Sequence, residues 1–194
     1  MLRCLRLVLT AVLTLTSAGL ALAEGARPLM HWEPAVFRWQ YNPAQAPDWL
    51  SDAAALALVQ RAVTAWQDCG PALVFEGTTE RAPGVMDGVN VIGWRTDLGR
   101  GQRGLTQGRS RSDGVILERD VLISAARTEF RLYPRLLEKV IAHEVGHALG
   151  LLHAQSCSEI MSLGAACPGL DPATLPVVPT PADLAACRQR YAAQ

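Results

Sequence analysis

The chain has 194 residues, is 49% hydrophobic and 19% charged, and carries 18 basic against 18 acidic side chains. That apolar fraction excludes a disordered polymer, and a net charge of zero argues against a protein that binds nucleic acid by neutralising phosphates. The length suits one domain.

The chain opens with Arg3 and Arg6, then an apolar run from Leu7 to Leu15, then the small residues Ala21-Leu22-Ala23. This is the pattern of a secretory signal peptide cut after Ala23. The expected organisation is therefore a signal at 1–23 and a single domain at 24–194. No membrane anchor is expected to persist after cleavage, and the mature protein is expected to be secreted or periplasmic. Cleavage leaves Cys69, Cys157, Cys167 and Cys187, an even set that suggests two disulfides in an exported protein. Three pairings are open. Cys157–Cys167 with Cys69–Cys187 is favoured because the first closes a short loop. A cysteine zinc site is the rival, weakened by the lack of any C-x₂-C pair.

In chain order, 31–41 mixes aromatic and β-branched residues and reads as a strand. Ser51 is placed to cap a helix over 52–67, whose Leu56, Val59, Val63 and Trp66 form one apolar stripe. Gly70-Pro71 ends it. Short strands follow at 72–76 and 88–95, the latter apolar on both faces. A Gly- and Arg-rich stretch at 97–114 holds an edge strand at 105–107, and 114–123 is the last clear strand. A second helix spans 133–149, with Pro134 tolerated in its first turn and Gly150 stopping it. A short helix closes the chain at 183–191. Strands and helices that partly segregate imply an α+β domain.

Three of the four histidines lie within eleven residues, in His143-Glu144-Val145-Gly146-His147-Ala148-Leu149-Gly150-Leu151-Leu152-His153. On a helix, His143 and His147 are one turn apart and project from one face. That spacing suits two ligands of a Zn²⁺ ion, and a turn at Gly150 brings His153 round as a third. Three protein ligands leave a fourth position for water, and Glu144 stands beside it as a general base. The implied chemistry is hydrolysis by Glu144-assisted attack of zinc-bound water.

This motif resembles the metzincin clan of zinc endopeptidases. Met161 follows His153 by eight residues, and that interval, with the Ile160-Met161 pair, is similar to the matrixin (matrix metalloproteinase) branch. The resemblance implies a metzincin/zincin-like α+β domain that hydrolyses peptide bonds in a protein or peptide substrate as a monomer. It would have a twisted mixed sheet, a long active-site helix, a second packed helix and a short C-terminal helix. It also implies that Met161 forms a methionine turn beneath the metal. Asp113, Glu118 and Asp120 are the candidate oxygens for Ca²⁺, which that family binds near its last strands. A second structural zinc is not expected, because His31 is the one mature histidine outside the motif. The family's prodomain is not expected, because few residues separate Ala23 from the first strand, and Ser162-Leu163 stands where a proline usually follows the methionine. An extended substrate is expected to pair with the edge strand at 105–107, beside Arg100, Arg103, Arg109 and Arg111. Two other readings stay open: a secreted binding module without proteolysis, and a hydrolase of non-peptide substrates on the same fold.

Overall fold

The computed structural model describes residues 28–163, 167, 169, 171–172 and 174–192. The signal peptide expected at 1–23 lies outside the described residues. Among the described residues ten elements follow in order: β1 (His31–Trp32), β2 (Val36–Asn42), α1 (Asp52–Thr64), β3 (Ala72–Thr78), β4 (Val91–Arg95), β5 (Gly104–Ser110), β6 (Val115–Ser124), α2 (Glu129–Leu132), α3 (Pro134–Ala148) and α4 (Pro181–Tyr191).

The segment read as one strand over 31–41 is two. β1 pairs in parallel with the start of β6, His31 opposite Val115. After Pro34, β2 pairs in parallel with both β3 and β4. Proline has no N–H for a ladder, so the break falls where a hydrogen bond is lost anyway.

The expectation of a metzincin-type α+β domain is corrected, and the expected mixed sheet is mixed at one pairing only. The sheet is predominantly parallel, with β5 alone antiparallel, against β6. β4 is buried at four of its five residues and β6 at nine of ten. Strands covered on both faces lack the alternation of a half-solvated antiparallel sheet, and parallel pairing follows from crossovers through helices and long loops. β5 pairs with β6 from Gly104 opposite Ile123 to Ser110 opposite Ile116, and its other edge has no strand partner among the described residues.

α1 is capped by Ser51, whose side chain accepts from the Ala54 N–H at 3.3 Å. It buries Ala55, Leu58, Val59, Ala62 and Val63, packs against α3 and shares one hydrophobic core with the sheet residues. α3 starts on Pro134 and buries Leu137, Ile141, Ala142, Val145 and Ala148. Two tryptophans pin this helix: Trp66 donates to the Ala142 carbonyl and Trp32 to the Ala148 carbonyl, each at 2.9 Å. Gly146 is required here. A Cβ at that position would run into Met161 Sδ and lie 2.8 Å from Trp66.

Disulfides join Cys69 to Cys187 and Cys157 to Cys167, with Cα separations of 5.3 and 5.6 Å. This is the favoured pairing, and it removes the cysteine-zinc alternative because all four sulfurs are bonded. The first ties the end of the α1 region to α4. Two such bonds fit an extracytoplasmic protein. No described helix is long and apolar enough to cross a membrane.

Candidate metal centre

α3 presents His143 and His147 on one face. Gly150, at φ +93°, then turns the chain, with its Cα facing the Met30 carbonyl so closely that no side chain fits. The turn brings His153 back. The ring nitrogens converge: Nε2 of His147 lies 3.1 Å from Nε2 of His143 and 3.2 Å from Nε2 of His153. Among the described residues these three form the one group of metal-ligand type.

The hydrogen bonds fix which nitrogens face inward. His143 Nδ1 lies 2.8 Å from the Ile160 carbonyl and His147 Nδ1 2.8 Å from the Leu151 carbonyl. A carbonyl only accepts, so both Nδ1 atoms carry the proton and both Nε2 atoms present lone pairs. Lone pairs at 3.1 Å repel unless a cation lies between them. A tetrahedral zinc with Zn–N of about 2.0–2.1 Å would hold its nitrogens about 3.3 Å apart. The donor set and spacing therefore fit such an ion. Burial, with His147 adding to it, holds the His143 imidazolium down to about 4, and burial lowers His147 too. Both rings are thus neutral and ready to ligate.

Glu144 follows His143 but lies in a different contact. Its Oε2 accepts from the Thr106 hydroxyl of β5 at 2.9 Å, and the same hydroxyl reaches the Glu144 carbonyl at 2.8 Å. Gly104 leaves room for it, since a Cβ there would sit 2.7 Å from Glu144 Cγ. Burial pushes the Glu144 carboxyl up to about 7, with the Thr106 bond pulling the other way. The histidines and Glu144 line a cleft of about 790 Å³ between the free edge of β5, α3 and the Ser162-Leu163 segment.

Met161 is buried, and its sulfur packs under Gly146 of the helix that carries the histidines. Its turn is held from below by Asp183, whose carboxylate accepts from the Ile160 N–H at 3.0 Å and the Met161 N–H at 3.2 Å. Asp183 also closes the capping box of α4 with Thr180. One carboxylate therefore sets both the helix start and the turn.

The acids suggested for calcium, Asp113, Glu118 and Asp120, do not form a metal-ligand group among the described residues, although Glu118 and Asp120 lie near each other on β6. Asp113 pairs with Arg111 at 2.5 Å on the surface. Glu118 accepts from the Asp87 and Gly88 amides and pairs with Arg109. Asp120 accepts from the Gly84 and Val91 amides. Their oxygens are spent on holding the 84–91 loop to β6. Three of the four arginines near β5 are likewise ion-paired: Arg103 with Glu129, Arg109 with Glu118 and Arg111 with Asp113.

Two residues at this site were not anticipated. Thr106 lay within the expected edge strand, but nothing local in sequence tied it to Glu144. Lys139 is the chain's one lysine and stands four residues before His143 on the same helix face. That spacing was a usable signal.

No protein-family model matches the chain, and no curated protein does. Among solved structures, a chain of the structure described as "GM1 bound form of the ECX AB5 holotoxin" superposes with a TM-score of 0.52 at 15% sequence identity, over 84% of each chain. A likeness at that identity concerns the fold alone. The expected membership of the matrixin branch of the metzincins is corrected by these comparisons. No family model and no curated relative carries it, and the solved structure named above is described as a toxin assembly. The resemblance rested on an eleven-residue motif and one methionine interval, which are local features, and it does not extend to a match over the chain.

Proposed function

We propose that this protein is a zinc-dependent hydrolase of peptide bonds, active outside the cytoplasm as a monomer after loss of residues 1–23. The observation that carries the reading is the convergence of three imidazole Nε2 atoms beside a buried carboxylate, in an open cleft walled by a free strand edge. His143, His147 and His153 would hold the ion. When bound, it supplies Lewis acidity to a carbonyl oxygen and lowers the pKa of nearby water. Glu144 accepts a proton from that water as its oxygen attacks the scissile carbonyl carbon. Glu144 then passes the proton to the leaving nitrogen as the C–N bond breaks. Thr106 orients the carboxylate for both transfers. The unpaired edge of β5 offers N–H and C=O groups to an extended substrate backbone, which fixes the direction of the chain in the cleft.

A second reading, a secreted binding module or a hydrolase of non-peptide substrates, draws on the fold shared with a chain of a GM1-bound toxin assembly. Incubation of a reduced, alkylated protein with the zinc-loaded chain separates the two. Fragmentation that a chelator stops and added zinc restores is the expected result. No fragmentation by protein that retains its zinc would favour the second reading.

A further inference from the structure

Lys139 is 7% exposed, yet it lines the cleft together with Leu136, Val140, Ser162 and Leu163. Its Nζ donates to Ser162 Oγ at 3.2 Å and to the Glu159 carbonyl at 3.4 Å, both neutral. No described carboxylate lies within 4.0 Å of it. Asp183 is the acid whose charge it feels. Both Asp183 oxygens are already occupied by the Ile160, Met161 and Thr180 amides and the Thr180 hydroxyl.

A buried ammonium with only neutral partners is costly, and a methionine would fill the same space without that cost. The remainder of the wall argues the same way. Arg119, 8% exposed, also lines the cleft and donates only to Ser110, Met30 and two backbone carbonyls. Against these cations the lining holds one carboxylate, Glu144.

We propose that the pocket between Leu136, Val140 and Leu163, with the Lys139 ammonium at its floor, is a subsite for a carboxylate of the substrate, one residue of which flanks the scissile bond. The apolar walls accept the methylenes of a glutamate or aspartate, and the remaining N–H of Lys139 donates to the carboxylate. The same chemistry would accept a chain-terminal carboxylate. The proposal rests on the hydrolase reading for its position in the substrate, but not for the binding itself.

The test uses blocked peptides that differ only in Glu, Gln or Leu at one position, each made as the amide and as the free acid. Cleavage by the zinc-loaded protein is measured, as is binding of labelled peptides to Glu144→Gln. The expected preference for Glu over Gln is about tenfold or more, because a site built around a charged donor rejects the neutral isostere. It should collapse in Lys139→Met and persist in Lys139→Arg, with bound zinc unchanged in both. A preference for free acids over amides assigns the carboxylate to the chain terminus; equal cleavage of both assigns it to the side chain. Cleavage without acid preference, or a preference that survives in Lys139→Met, overturns the subsite and leaves the hydrolase standing. If nothing is cleaved, Lys139-dependent binding of Glu peptides sustains the subsite while the hydrolase falls. Binding without that preference removes both.

Discussion

Glu144→Gln is expected to lower peptide hydrolysis by about 10³-fold or more while leaving zinc affinity unchanged, since a general base contributes up to about 10⁴ and makes no bond to the ion. The substitution keeps the shape, so the Thr106 hydroxyl at 2.9 Å still has an oxygen to meet and the packing over Gly104 is preserved. The Nε2 atoms of His143, His147 and His153 are untouched. Turnover and zinc content measured on one preparation check this. A variant that loses zinc together with activity would make Glu144 a support of the site and not its base. A variant that keeps full activity would take the carboxylate out of the chemistry.

The second large effect is on stability. The Cys69–Cys187 bond spans 118 residues and the Cys157–Cys167 bond spans 10. If a cross-link acts by restricting the unfolded chain, the first is worth about 5 kcal/mol and the second about 3. The paired Cys69→Ser, Cys187→Ser variant should therefore lose more in urea unfolding than the Cys157→Ser, Cys167→Ser variant. Both Cys69 and Cys187 are fully buried, which adds to the cost of placing hydroxyls there. The reverse order would mean that the loop around Cys157 carries more of the fold than its length implies. The long-loop variant should also loosen α4, and with it the Asp183 bonds that hold the Ile160-Met161 turn under the histidines.

The sequence made the local parts of this account legible. The apolar stripe and Ser51 cap give α1, Pro134 and Gly150 bracket α3, and histidines one turn apart must share a face. The sheet was not legible in the same way. Pro34 was a local sign of the break between β1 and β2. Which strand lies beside which, however, depends on pairing between distant segments, so the parallel order of β1, β6, β4, β2 and β3 had no local signature. Thr106 escaped for the same reason, being 38 residues from Glu144 in the chain. The two acids of β6 looked like cation ligands because sequence shows charge but not partners. In the fold they cap backbone amides of the 84–91 loop. The family assignment failed at a different level. A motif can be matched residue by residue, whereas membership needs likeness along the whole chain.

In the proposed site His143, His147 and His153 together hold one ion. The decisive measurement is metal content after dialysis against zinc and exhaustive buffer exchange, with His147→Ala beside the parent. His147 is the choice because its Nε2 lies within 3.2 Å of both of the others. One zinc per parent chain is expected, with a loss of retained zinc in the variant and the fold preserved by circular dichroism. A parent chain that retains no zinc, or a variant that retains as much as the parent, would contradict the proposed site.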